Sequence, residues 1–390
     1  MRLGILASHP IQYQAPLFRE LARHVDLQVH FAHRQTAAGQ AAAGFNVAFE
    51  WDVDLLGGYD HTFLHNQSRH PGVNSFFGCD TPEIADEIDR GRFDAFLVTG
   101  WYLKSYWQAI RACRRRGVPV MVRGDSQLGT PRSRLKQLGK AIVYPRVLRQ
   151  FDACLYVGQK NKEYLQHYGV PPDRLFFSPH CIDNNAFASL AQAANRVESR
   201  ILSGIGPDQK AVLFVGKLLN RKRPLDLIGA LSHLRGRGAD VCGVFAGDGP
   251  LRSQLETYAL ECNVPVVFLG FRNQTELPEA YAMADVMVLP SDGSETWGLV
   301  VNEALACGTP VVVSDAVGCA PDLVKERKTG AVYPVGDIPA LADALQQVLS
   351  NPPDQRSIQA VADTYSVTAA AQGVLDAMGW LSAGNRRKNR

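Results

Sequence analysis

Residues 290–310 read PSDGSETWGLVVNEALACGTP, and this stretch decides the fold. It predicts the end of a strand, a polar loop, a helix, and a Gly-Thr-Pro break that leads into the next strand. Glu295 is expected just before the helix. Glu303 is expected about one and a half turns inside it, since a helix completes one turn every roughly 3.6 residues. The free N–H groups of the helix start lie between the two acids and can bind an anion.

Two carboxylates on either side of an anion site suit a particular class of ligand. A carboxylate accepts two hydrogen bonds at once, as neighbouring sugar hydroxyls require. Glu295 and Glu303 therefore indicate a ligand with a sugar at each end of a diphosphate, such as a nucleotide sugar. On spacing alone, the alternative is a loop acid and a solvated helix acid.

Short apolar strands alternate with amphipathic helices along nearly the whole chain. Strands are predicted at 3–7, 27–31, 95–99, 119–123 and 153–157, and again at 211–216, 241–246, 266–269, 286–289 and 310–313. Because such strands form parallel sheets covered on both faces, we expect an α/β fold of two doubly wound, Rossmann-like domains facing across a cleft. The expected domains are 1–183, which binds the acceptor, and 184–365, which binds the donor. A helix predicted over 360–380 and a basic tail form a third segment, 366–390, expected to pack back toward the first domain.

The composition excludes several classes of protein. With 390 residues, 46% hydrophobic and 20% charged, the chain is neither disordered, collagenous nor a coiled coil. No apolar run approaches the roughly 18 residues of a membrane span, and no signal peptide is expected. The eight cysteines lie at least 12 residues apart, which disfavours structural zinc and thiol–disulfide chemistry. Scattered single thiols are typical of the reducing cytoplasm.

Positive charge is concentrated in the first half of the chain. Residues 104–149 contain 12 basic side chains and a single acid, Asp125. Within this stretch, 131–145 places cations and apolar residues on one predicted helix, which favours contact with an anionic membrane surface, such as the inner face of the cytoplasmic membrane. The alternative is a solvated basic face. Nucleic acid is not an expected partner, because no stacking aromatics alternate with these cations.

A second basic cluster follows the first strand of the second half. Residues 216–224 read GKLLNRKRP, in which Lys217 and Lys222 could neutralise the charge that develops on a departing diphosphate. A solvated basic turn is the alternative. Further on, Gly247 and Gly249 flank an aspartate in a strand-to-helix turn, and a tight turn alone would explain them. The sequence contains no P-loop motif.

The order of these motifs is informative as a whole. The cluster at 216–222, then GDGPL at 247–251, LGF at 269–271, ADV and LPS within 284–291, and the stretch at 295–312 resemble family 4 of the retaining glycosyltransferases, of the GT-B fold. The likeness is dense across about residues 170–350.

The resemblance implies roles for individual residues. Glu303 would hold the ribose hydroxyls of the nucleotide, Glu295 would contact the donor sugar, and Lys217 and Lys222 would grip the phosphates. The family usually has Arg where Lys217 stands, a change that phosphate should tolerate. The remaining residues of the implied donor site are Gly216, Gly247, Gly249, Phe271, Arg272, Thr296, Trp297, Gly298 and Leu299, of which the backbone of 297–299 would meet the diphosphate or the sugar.

The first half of the chain departs from the family pattern. Many relatives place a histidine after the strand equivalent to 118–122, where this chain reads RGDS at 123–126. Asp125 or His9 is therefore expected near the reacting carbon. The alternatives are a structural ion pair for Asp125 and a structural hydrogen bond for His9.

The implied reaction moves a sugar from a nucleotide-diphosphate donor to a hydroxyl acceptor, such as a glycan, a glycolipid or a lipid-linked intermediate, with retention. It would proceed by front-face attack, without a covalent enzyme intermediate. No cofactor is expected and no metal is required. The Asp-x-Asp at 52–54 lies in the wrong half for a metal site, and an alternating strand edge is the simpler interpretation. A nucleotide-sugar epimerase of the same fold and a non-catalytic nucleotide-sugar binder are the alternatives.

Overall fold

The computed structural model describes residues 1–36 and 49–384, and its strands form two wholly parallel sheets. The first sheet contains β1 Arg2–Ala7, β2 Asp26–Phe31, β3 Asp60–Phe63, β4 Ala95–Val98, β5 Val120–Gly124, β6 Ala153–Tyr156 and β7 Leu175–Phe177. The second contains β8 Lys210–Val215, β9 Val241–Ala246, β10 Val266–Gly270, β11 Val286–Leu289, β12 Val311–Ser314 and β13 Gly330–Tyr333. The strand orders are β3-β2-β1-β4-β5-β6-β7 and β10-β9-β8-β11-β12-β13.

Helices cover both sheets. Those in the first part of the chain are α1 Ala15–Ala22, α2 Ile84–Gly91, α3 Lys104–Arg116, α4 Arg134–Leu148, α5 Gln159–His167, α6 Asn184–Ala193 and α7 Arg196–Leu202. The later ones are α8 Pro224–Gly236, α9 Arg252–Glu261, α10 Leu277–Met283, α11 Leu299–Ala306, α12 Ala320–Leu323, α13 Ile338–Ser350, α14 Gln355–Thr364 and α15 Val367–Ser382. None of the described helices is both long and apolar enough to cross a membrane.

The apolar strands are buried on both faces, as doubly wound sheets require. In β8, Leu213 and Val215 belong to one apolar cluster, whereas Val212 and Phe214 belong to another on the opposite face of the sheet. In β1, Leu6 belongs to one apolar cluster, whereas Leu3 and Ile5 belong to another on the opposite face of the sheet. The predicted α/β fold class is thereby confirmed, with two Rossmann-like domains.

Two predictions of local structure were wrong. The helix predicted over 360–380 is two helices, because Ser366 accepts a hydrogen bond from the backbone N–H of Ala369 at 3.3 Å and so caps α15. The Asp-x-Asp at 52–54 lies in a loop instead of on a strand edge. Asp54 Oδ1 accepts hydrogen bonds from the N–H groups of Leu56 and Gly57 at 3.0 and 2.9 Å, a turn that short acidic side chains favour.

The predicted division at residue 183 falls between the two sheets, where the Asp183 carboxylate caps α6 by accepting from Ala186 N at 3.0 Å. After the second sheet, α15 lies against the first one. Its buried Ala370 and Val374 share an apolar cluster with β1, and Ser178 Oγ donates to the carbonyl of Ala370 at 2.8 Å. The basic tail at 385–390 lies outside the described residues.

Two glycines of α15 provide a test of this packing. A Cβ atom at Gly373 would lie 1.8 Å from the carbonyl oxygen of Phe177, whereas one at Gly379 would meet nothing within 4 Å. Gly373→Ala should therefore destabilise the fold by about 1–3 kcal/mol, as overpacking does. Gly379→Ala should be neutral or stabilise it by up to about 1 kcal/mol. Urea unfolding of both variants measures the difference, and equal midpoints would show that α15 does not pack on the first sheet.

Candidate active site

An ion pair joins two candidate residues that lie far apart in the sequence. Lys222 ends a short 3₁₀ turn after β8, and its ammonium contacts the Glu295 carboxylate in the loop after β11. Their side chains are only 12% and 15% exposed, so water screens this pair weakly. The structure thus places a cation and an acid together at the carboxyl ends of two neighbouring strands.

Lys217 lies in the same cationic environment. Burial, together with the nearby Arg221 and Lys222 charges, lowers the pKa of Lys217. Cations that lie close together in a partly buried turn repel one another, because little water screens their charges. A bound anion stabilises such a cluster. Lys217 and Lys222 are partly buried whereas Arg221 is exposed, so a solvated basic turn describes only part of the cluster.

Glu303 occupies the interior of α11. It is 6% exposed, and its Oε2 accepts a hydrogen bond from the Tyr281 hydroxyl at 2.7 Å. Burial raises the pKa of Glu303 to about 7, although the Tyr281 hydrogen bond works in the opposite direction. The alternative of a solvated helix acid is therefore wrong for this residue.

One cavity gathers several of the predicted donor-site residues. It is lined by Gly216, Lys217, Gly247, Phe271, Arg272 and Glu303, together with Gln12 and Trp51 from the first domain. A Cβ atom at Gly247 would lie 2.1 Å from the carbonyl oxygen of Gly216, and one at Gly249 would lie 2.7 Å from that of Leu218. These two glycines therefore allow the loops after β8 and β9 to lie against each other.

The loop before α11 is held from within. Trp297 is 4% exposed, and its indole N–H donates to Asn302 Oδ1 at 2.8 Å. Its side chain is thus part of the core. Gly298 precedes α11 and Leu299 begins it, so Glu303 lies inside the helix as predicted, whereas the helix begins later than directly after Glu295.

Asp125 connects the first domain to this loop. Its Oδ2 accepts a hydrogen bond from Thr296 Oγ1 at 2.6 Å and lies 3.8 Å from Nε2 of the buried His180. Although desolvation opposes them, these two partners hold the pKa of Asp125 at about 2, so the group is ionised at neutral pH. The Asp125 side chain is 45% exposed and therefore open to the cleft.

His9 is in a different state. Its Nδ1 lies 3.0 Å from Ser8 Oγ, and burial, with a smaller effect of His33, lowers the pKa of His9 to about 4. His9 is therefore neutral at pH 7, which fits the structural hydrogen bond that the sequence left open.

Sequence reasoning missed Gln127 and His180 as parts of the site. Gln127 is 1% exposed, and its Nε2 donates to the carbonyl of Glu295 at 2.9 Å across the two domains. His180 places its ring 5.5 Å from that of Trp297. Gln127 follows β5 closely, so the strand-end argument that selected Asp125 could have found it. His180 follows β7 just as closely, but no strand was predicted there, so the same argument could not select it.

Comparison with known proteins identifies the family. A family model described as glycosyl transferases group 1 matches residues 195–363. The GDP-mannose-dependent alpha-(1-6)-phosphatidylinositol monomannoside mannosyltransferase of Mycolicibacterium smegmatis is 31% identical over 288 residues, which cover 70% of this chain and 72% of that protein. The chain belongs to the group 1 glycosyltransferases. Its resemblance to family 4 is thereby confirmed, and the protein is a glycosyltransferase.

Two other known proteins are similar to this chain, one over a shorter stretch and one at lower identity. The D-inositol 3-phosphate glycosyltransferase of Corynebacterium aurimucosum is 33% identical over 208 residues, 51% of this chain and 49% of that protein. The crystal structure of Anabaena HepE in complex with UDP matches with a TM-score of 0.72 at 18% identity, covering 97% of this chain and 100% of that one. The structural match confirms the GT-B fold.

The raised pKa of Glu303 predicts that the free energy of unfolding depends on pH. Between its ordinary value of 4.5 and about 7, the folded protein holds a proton that the unfolded chain has lost. The contribution of Glu303 to stability is therefore fully present below pH 4.5 and is lost as the pH rises through about 7. Glu303→Gln removes this dependence, so its stability relative to wild type should increase by up to about 3 kcal/mol between about pH 5 and pH 8.

Urea unfolding at the two pH values measures this change. Glu261→Gln, which alters an exposed acid at the end of α9, provides the control and should show no such trend. A constant difference between Glu303→Gln and wild type would show that Glu303 is ionised in the folded protein throughout.

Proposed function

We propose that this glycosyltransferase moves a sugar from a nucleotide-diphosphate sugar to a hydroxyl acceptor with retention of configuration. The observation that carries the proposal is the cavity that joins Glu303 to Lys217, beside the Lys222–Glu295 pair. An acid at one end suits ribose hydroxyls, the cations suit the diphosphate, and Glu295 suits hydroxyls of the transferred sugar. The names of the relatives include GDP-mannose and UDP, which supports a nucleotide donor.

The proposed chemistry requires no nucleophile from the protein. The acceptor hydroxyl attacks the anomeric carbon from the face that the diphosphate leaves, so one carbon–oxygen bond forms as the other breaks. The proton passes from the acceptor hydroxyl to the departing phosphate oxygen. Lys217 and Lys222 stabilise the charge on that phosphate, and the ionised Asp125 stabilises the positive character of the sugar. His9, which is neutral and lies just after β1, is proposed to contact the acceptor.

We further propose that donor binding needs no metal ion, since Lys217 and Lys222 supply the positive charge at the diphosphate. Groups of three or more His, Cys, Asp or Glu that could hold a metal do not occur within 1–36 and 49–384. A metal would therefore have to bind chiefly through the phosphates of the donor. Comparing Mn²⁺ with EDTA in the binding assay tests this part of the proposal.

Nucleotide binding is the first test of the function. A thermal-shift panel of UDP, GDP, ADP and several of their sugars, with Mn²⁺ or with EDTA, should give one selective shift that EDTA does not abolish. A ligand at a hundred times its Kd stabilises the folded state by about 2.7 kcal/mol. No shift with any nucleotide would overturn the donor assignment. Products with an altered sugar would indicate the epimerase, and binding without hydrolysis or transfer would indicate the non-catalytic binder.

Lys222 tests the site of the reaction. Lys222→Ala should lower kcat by about 100-fold or more, the loss typical of removing one group that stabilises developing charge. Lys328→Ala removes an exposed cation of the same domain and should leave kcat unchanged. Near-normal turnover of Lys222→Ala would mean that the diphosphate lies elsewhere.

We also propose that the acceptor is presented at an anionic membrane surface. Along α4, Leu135, Leu138 and Ile142 are 83%, 63% and 57% exposed, at spacings that place them on one side of the helix. The cations around them are Arg132, Arg134, Lys136, Lys140, Arg146 and Arg149, and no acid occurs within 126–151. Exposed apolar side chains among cations match an anionic bilayer, and the M. smegmatis relative is named for a phosphatidylinositol-based acceptor.

Vesicle binding tests the proposed membrane surface. Changing Leu135, Leu138 and Ile142 to Ser should abolish co-sedimentation with phosphatidylglycerol vesicles, because the apolar insertion is lost while the charge is kept. The matched control changes Val197, Ile201 and Leu202 of α7 to Ser, which are 66%, 69% and 80% exposed, and should bind like wild type. Equal binding by both variants would show that α4 is a solvated face and would contradict the proposed membrane contact.

A further inference from the structure

A segment of the first domain reaches across to the second beside the donor cavity. We define residues 49–54 as the strap. The ring of Phe49 lies 4.4 Å from that of Phe271, centroid to centroid, and Asn273 Nδ2 donates to the carbonyl of Glu50 at 2.8 Å. The strap thus contacts the loop that follows β10, which forms one end of the cavity.

Asp52 fixes the strap at that position. Its carboxylate accepts hydrogen bonds from the backbone N–H of Gln274 at 3.1 Å and of Thr275 at 3.0 Å, and also from the Thr275 hydroxyl. Hydrogen bonds to an ionised acceptor are roughly twice as strong as neutral ones. Within the part of the chain that the structure describes, the Asp54 carboxylate accepts hydrogen bonds only from the N–H groups of its own turn. The two aspartates of the Asp-x-Asp motif therefore have separate roles, one between the domains and one local.

Trp51 lies between these anchoring residues and lines the donor cavity. The lining also includes the apolar or aromatic side chains of Phe271, Leu277 and Val300, and its charged residues are Lys217, Asp248, Arg272 and Glu303. If Glu303 holds the ribose and Lys217 the phosphates, Trp51 and Phe271 are the aromatic residues of the lining that remain for the base. Aromatic side chains there offer a planar surface on which a base can stack.

The size of the cavity bears on how the strap works. Its volume is about 150 Å³, less than the roughly 300–1,000 Å³ of typical small-molecule sites. An outward movement of the strap would enlarge the cavity for a nucleotide, and its return would bring Trp51 back over the bound base.

We propose that Trp51 is a base-stacking residue of the donor site, contributed by the first domain, and that Asp52 holds it over the base. This inference rests on the proposed nucleotide donor. It adds to that site an aromatic residue of the first domain, so the affinity for the nucleotide depends on whether the strap is closed.

Titration calorimetry with the nucleoside diphosphate selected by the thermal-shift panel tests Trp51. Trp51→Ala should weaken binding by about five-fold or more, the lower end of what removing an aromatic partner does to a stacked base. Trp51→Phe keeps a planar ring and should bind within about two-fold of wild type. Wild-type binding together with unchanged affinity in Trp51→Ala overturns the inference and leaves the proposed function standing. No binding by wild type overturns both.

Tryptophan emission provides a readout that does not depend on affinity. Saturating nucleotide should quench part of the wild-type emission, and that part should be missing in Trp51→Phe but present in Trp380→Phe, whose ring packs against Phe176. Equal quenching in both variants would place the base away from Trp51 and overturn the inference.

Stopped-flow dissociation tests the role of Asp52. Asp52→Ala should speed release of the bound nucleotide several-fold, because the closed strap loses its hydrogen bonds to the second domain. Asp54→Ala, the matched control, should change the release rate little and should lower stability instead. Equal acceleration in both variants would indicate that the two aspartates act together. That result would overturn the proposed role of Asp52 in holding the strap closed.

Discussion

Parallel pairing is the constraint on which the site depends. Every pair of neighbouring strands in the two sheets runs in the same direction, so each loop that follows a strand emerges at one edge. Lys217 follows β8, Phe271 follows β10, and Glu295 follows β11, while Asp125 follows β5 of the other sheet. Residues scattered over much of the sequence therefore meet in one cleft, where ligands of doubly wound folds bind.

The first domain also helps to build the loop that carries Glu295. Gln127 donates to the Glu295 carbonyl, and a Cβ atom at Gly293 would lie 2.4 Å from the carbonyl oxygen of Gly129. Among the described residues, Gln127 Oε1 and His180 Nδ1 are buried without a hydrogen-bond partner. Because buried polar atoms are normally paired, these two leave capacity for water or ligand beside the loop. The donor loop is thus shaped by both domains.

The sequence predicted what depends on continuous apolar runs and missed what depends on distant partners. The central strands were predicted because each is buried on both faces. β3, which reads DHTF at an exposed sheet edge, has no such run. Spacing selected Glu303, but not its burial, since the Tyr281 partner belongs to another helix. The role of Asp52 depends on N–H groups 222 and 223 residues away, which no local pattern reveals.

The surroundings of the half-exposed Asp125 and of the buried Glu303 assign different charge states to these two acids. Asp125, with Thr296 and His180 as partners, keeps its charge well below neutral pH, so it can face a developing positive charge throughout the working range. Glu303 is buried, and among the described residues only the Tyr281 hydroxyl donates to its carboxylate, so its pKa is raised to about 7. A vicinal diol would bring two more donors and favour the ionised form. Binding of a ribose and ionisation of Glu303 would therefore support each other, which makes a charged group tolerable inside α11 once the donor is in place.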